Sequence, residues 1–179
     1  RAALVLFVSW EMLLRTGEMW LLKRQSVTLP VDGGPVLVSL ENTKGLARRM
    51  GSVEVLSLKT PLAVRVMVYL CRDLELGNSL MPISNAQYRR LFQAATAFFG
   101  LEEWHYLPYS VRRGSATYFF SKTGNMPATV DLGRWASVRT ARIYLEDGVA
   151  ALARQSFDRP TTNMLRVFAN RFLAEVNTL

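Results

Sequence analysis

Arg112-Arg113-Gly-Ser-Ala-Thr117, Leu132-Gly-Arg-Trp135-Ala-Ser137 and Tyr144 follow one another within a short stretch of the chain. Together they offer two guanidinium groups, an indole N–H and a phenol. A guanidinium fork matches paired phosphate oxygens, an indole N–H donates a hydrogen bond without giving up its proton, and a phenol is a candidate nucleophile. That combination suits chemistry on a phosphate ester.

The surrounding pattern predicts the elements that must hold these groups. Ala3, Leu6, Phe7, Trp10, Leu13 and Leu14 recur at three- and four-residue spacing, which predicts a helix over 2–14 with one buried face and Arg15 at its end. β-branched and apolar runs at 20–29 and 35–40, divided by Val-Asp-Gly-Gly-Pro, read as a hairpin, and 51–58 reads as a third strand in which Val53, Val55 and Leu58 are partly buried. Lys44 falls in the polar turn before that strand. Further helices are expected after Pro61 to about Leu70 and from Ser84, as N-cap of a capping box with Gln87, to Phe99, where Gly100 ends the helix. Helices are also expected over 110–123, 127–132 and 137–150, with Gly124, Gly133 and Gly148 as punctuation. Pro160 is expected to separate off a last amphipathic segment, 164–176, whose Leu165, Phe168, Phe172 and Leu173 suit packing at home or on a neighbour.

The 179 residues are half hydrophobic and carry a formal net charge of +8, which supports one folded domain with an anionic partner, nucleic acid or an anionic membrane. No apolar run reaches the roughly 18 to 20 residues needed to span a bilayer. One cysteine, Cys71, excludes an intrachain disulfide, and one histidine, His105, argues against a zinc site, so no metal is expected and a reducing, intracellular compartment is. The chain begins with Arg and enters a helical pattern at once, as a fragment of a longer protein would.

In this order the residues resemble the catalytic domain of the tyrosine recombinases, the phage-integrase superfamily. Arg15-Thr-Gly-Glu18 resembles the family's first element, Lys44 its hairpin lysine, and Tyr109-Ser-Val-Arg112 its His-x-x-Arg. Trp135 stands at the His/Trp element and Tyr144 at the nucleophile. The intervals, 23 residues from Arg112 to Trp135 and nine from Trp135 to Tyr144, are typical of the family. The resemblance implies an α+β, mainly helical fold with a small antiparallel sheet in the N-terminal third. It implies a catalytic core over 1–150, a C-terminal tail with a helix over 151–179, and a helical N-terminal core-binding domain absent from this chain. It further implies integration, excision or inversion of DNA through a 3′-phosphotyrosyl intermediate, without cofactor. The partners would be double-stranded DNA and a homotetramer on synapsed DNA, with a monomer in its absence. The Gly-Arg-Trp-Ala-Ser string is similar to recombinases of eukaryotic mobile elements, which would place the protein in the nucleus, and otherwise in the cytoplasm.

In that setting Arg15 and Arg112 would clamp the phosphate, since a bidentate guanidinium fits two non-bridging oxygens better than a lysine does. Lys44 would protonate the departing 5′ oxygen, Trp135 would donate its N–H to the phosphate, and Glu18 would orient an arginine. Arg48, Arg49, Arg113, Lys122, Arg134, Arg139 and Arg142 are candidate DNA contacts, or a solvated basic surface. Each residue alone has a plainer reading: Arg15 as a helix-end cation, Lys44 as a solvated turn lysine, Trp135 as core, Tyr144 as a half-buried helix tyrosine. Tyr109 departs from the family's histidine and is a poorer base near neutral pH, either a hydrogen-bond donor at the site or a packed aromatic. This departure keeps open a DNA-binding remnant without activity, beside a type IB topoisomerase as a second enzyme reading.

Overall fold

The protein, described from a computed structural model over residues 1–41, 53–145 and 157–179, divides into two compact units. One comprises 1–84 with Leu179, the other 85–178.

The first unit pairs helix α1 (Ala2–Glu11) with helix α2 (Pro61–Cys71) beside a three-stranded sheet. Strands β1 (Val27–Thr28), β2 (Val36–Leu40) and β3 (Glu54–Leu58) run antiparallel in that order, with Val27 opposite Val38 and Val38 opposite Leu56. The two-residue alternation sends Val36, Val38, Leu40, Leu56 and Leu58 into the core. It therefore leaves Val53 and Val55 exposed, contrary to the expectation from sequence, whereas Leu58 is buried as expected. The helix α1 is apolar on nearly every side, so its periodicity misidentified the inner face: Val5, Val8 and Ser9 are buried rather than Ala3 or Leu6, although Leu13 and Leu14 do enter the core. The predicted strand over 20–29 shrinks to β1. Its earlier backbone groups bond instead to the 76–80 loop, Arg24 N–H to the Asn78 carbonyl at 2.9 Å and Leu80 N–H to the Leu22 carbonyl at 2.9 Å.

The second unit is helical: α3 (Asn85–Phe98), α4 (Ser110–Thr123), α5 (Met126–Gly133), α6 (residues 138–145 as described) and α7 (Arg159–Asn177). Gly100, at φ +65°, closes α3 as the sequence suggested, with the Leu101 N–H reaching the Thr96 carbonyl at 2.8 Å. Pro160 does not precede the last helix but lies in its first turn, where its missing N–H breaks no helical bond; Asp158 caps that turn by accepting from the Thr161 N–H at 2.8 Å. Phe168 of α7 meets Phe98 and Phe99 edge-on at 5.4 and 5.3 Å. No helix among the described residues is long and apolar enough to cross a membrane.

Candidate active site

The geometry around Tyr144 begins with α5. Asn125 caps it, accepting from the Ala128 N–H at 2.9 Å, and Pro127 sits in its first turn. At the other end the Arg134 N–H bonds to Asp131 at 3.0 Å and the Trp135 N–H to Val130 at 3.1 Å, a pair of bonds that turns the chain out of the helix. Gly133 is the last residue of α5, as its place between the expected helices suggested, and the left-handed residue of the turn is Arg134, at φ +55°. Gly133 is there for space: a methyl group on it would fall within the ring of Trp135. Ser137 then caps α6, its hydroxyl accepting from the Thr140 N–H at 3.2 Å. Two turns into α6, Ala141 and Leu145 are buried and Tyr144 sits half-buried beside them. The nine-residue interval from Trp135 to Tyr144 is thus a turn, a cap and two helical turns.

Four of the expected residues meet here. The Trp135 indole stacks on the Tyr144 ring, with centroids 5.5 Å apart and planes at 22°. Arg112, only 3% exposed, lies behind the indole at 5.1 Å and donates through Nη2 to the Gly133 carbonyl. Tyr109, at the start of α4, also meets Tyr144, with centroids 6.0 Å apart and planes at 60°. Burial first, and then a hydrogen bond with Tyr144, pushes the Tyr109 phenol up to about 12, while the charges of Arg112 and Arg113 pull weakly the other way. Tyr109 is therefore a neutral phenol near neutral pH, a donor and acceptor of hydrogen bonds.

Arg113 is a neighbour that the sequence assigned elsewhere, among the DNA contacts. Its guanidinium carbon lies 5.9 Å from the centre of the Tyr144 ring. The available signal was its spacing, four residues after Tyr109 on one helix, which places both on one face.

Arg15 and Glu18 belong to the first unit and form a pair there. The Glu18 carboxylate, 4% exposed, accepts the Arg15 backbone N–H at 2.7 Å and its guanidinium Nη1 at 2.6 Å. Lys44, Arg48 and Arg49 lie outside the described residues. Of the remaining basic candidates, Arg134 is half-buried and Arg139 and Arg142 are exposed on α6. Lys122 lies 5.6 Å from the Tyr118 ring near the end of α4. No group of three or more His, Cys, Asp or Glu among the described residues is placed to hold a metal ion.

No family model matches the chain, and no curated protein matches it in sequence. Solved structures do match in fold. XerH site-specific recombinase bound to palindromic difH substrate, in a post-cleavage complex, superposes with a TM-score of 0.60 at 18% identity, over 85% of this chain and 44% of that one. The fold is that of the tyrosine recombinase catalytic domain. XerH bound to difH in a pre-cleavage complex gives 0.59 at 16% identity, over 93% of this chain and 46% of that one. XerA recombinase gives 0.55 at 15%, over 94% and 61%. This chain thus spans about half the length of the recombinases whose fold it shares. The mainly helical class and small antiparallel sheet expected from the sequence are the ones observed.

Proposed function

We propose that this chain carries the catalytic part of a site-specific DNA recombinase that cuts and rejoins strands through a 3′-phosphotyrosyl link at Tyr144. The observation that supports this most is the enclosure of the Tyr144 phenol by Trp135, Tyr109 and Arg113, with buried Arg112 behind the indole. In this reading the Tyr144 oxygen attacks the scissile phosphorus and the bond to the 5′ oxygen breaks. The departing oxygen takes its proton from Lys44, while Tyr109 accepts the Tyr144 proton as it releases its own to water. Arg15, oriented by Glu18, and Arg112 offset the charge that builds on the non-bridging oxygens. Attack of another strand's 5′ hydroxyl on the phosphotyrosine reverses these steps, so the bond energy is conserved and no cofactor step is needed. Residues 1–150 would be the core of this machinery and 151–179 a tail. Double-stranded DNA is the substrate, held by a homotetramer on two duplexes, and movement of a mobile element is the process. Arg139 and Arg142, beside Tyr144 on α6, would contact the DNA backbone.

Tyr109 favours one competing reading, a remnant that binds DNA without cutting it, because a phenol raised to about 12 keeps its proton near neutral pH, where an imidazole offers a free base. A nicked suicide duplex separates the two. The recombinase reading expects a covalent DNA adduct that survives denaturing gel electrophoresis and disappears in Tyr144→Phe. Retention of DNA without any adduct would establish the remnant, and relaxation of supercoiled plasmid by the monomer would point to a topoisomerase.

A further inference from the structure

Arg112 and Arg113 are adjacent in sequence yet turn to different tasks. About 100° of helical rotation separates them on α4. Arg112 is buried against Trp135 and the Gly133 carbonyl. Arg113, half-buried, shares its face with Tyr109 four residues earlier, and both reach Tyr144. We propose that Arg113 is a positioning residue for the Tyr144 phenol, holding the ring from one side while Trp135 stacks on it and Tyr109 hydrogen-bonds to it. This rests on the reading of Tyr144 as nucleophile, and it removes Arg113 from the set of DNA-backbone contacts.

The physical case has two parts. A guanidinium over an aromatic face is attracted to the ring's negative quadrupole, so it restrains the ring's tilt as well as its distance. A nucleophile must lie close to its target and in line with the leaving group, and small misplacement is costly in rate. An arginine spent on a phosphate would act differently. It would add to affinity for any sequence and steepen the salt dependence of binding.

The test uses the chain with Arg113→Met, similar in reach but uncharged, and Arg113→Lys, which keeps the charge. Single-turnover cleavage of the nicked duplex at saturating DNA is expected to fall about 10- to 100-fold in Arg113→Met and to recover in part in Arg113→Lys. DNA affinity by fluorescence anisotropy, and its slope against salt, should match the parent chain. A lower affinity, a salt slope shallower by about 1 and an unchanged cleavage rate would overturn the proposal. A second measurement needs no cleavage at all. With 3-fluorotyrosine at position 144, the fluorine resonance of the DNA-free chain should shift or broaden in Arg113→Met, and an unmoved resonance would equally overturn it. Failure of the nucleophile reading has a different signature, the absence of any adduct from the parent chain.

Discussion

At the scale of single residues, Arg112 joins the turn after α5 to the stack on Tyr144. Its side chain is the donor to the Gly133 carbonyl and the floor under Trp135. Arg112→Met removes both contacts and leaves a buried carbonyl without this partner, so unfolding in urea should show a loss of about 1–3 kcal/mol. Tyr109 makes a prediction of the opposite kind, about pH. Its phenol, raised to about 12 by burial and by the bond with Tyr144, keeps its proton in the folded chain after the unfolded chain has lost it near pH 10. The unfolded state then binds fewer protons, and stability falls as pH rises. The contribution is fully present below about pH 10 and is lost toward pH 12. Tyr88, also raised to about 12 by burial, acts in the same direction. Urea midpoints compared between about pH 8 and pH 11 should therefore drop less in Tyr109→Phe than in the parent. An equal drop in both would remove Tyr109 as a source of the alkaline instability.

At the scale of elements, the segment from Asn125 to Tyr144 explains why part of this site could be read from one sequence. Caps and turns are local: Asn125, Pro127 and Ser137 act on backbone groups within a few residues, so their types and spacing carry the geometry directly. What was misread depends on distant partners. The segment before β1 has strand-forming residues, but its bonds go to the 76–80 loop, which no local pattern reveals. The inner face of α1 was ambiguous because apolar residues surround the helix. Gly133 was legible as a helix end, but that it leaves room for the ring of Trp135, two residues on, shows only in the folded turn. Two substitutions measure these local devices. Asn125→Ala removes a cap and should cost about 1 kcal/mol in unfolding free energy. Gly133→Ala sets a methyl against a rigid indole already stacked on Tyr144, so it should cost about 1–3 kcal/mol. It should also change the near-ultraviolet circular dichroism of the aromatic stack, a signal that Asn125→Ala should leave in place.

At the scale of the whole molecule, composition bounds the partner without saying which residues meet it. A net charge of +8 favours any polyanion, and it is the position of each cation that separates binding from catalysis. The basic residues around Tyr144 fall into two groups by environment. Arg112 is buried and Arg113 is half-buried against aromatic rings, whereas Arg139 and Arg142 are exposed on the helix that carries Tyr144. Exposed arginines that neutralise phosphates release counterions, and each one removed makes the fall of affinity with salt shallower by about 1 in a log–log plot. Arg139→Ala and Arg142→Ala are expected to do this individually and to weaken binding alike on duplexes of unrelated sequence. Arg113→Met should leave the slope where it is, so the three variants titrated on one duplex compare surface charge with site charge directly. Slopes unchanged in both α6 variants would move the DNA-binding face away from α6, while a slope altered in Arg113→Met alone would return that residue to the backbone contacts.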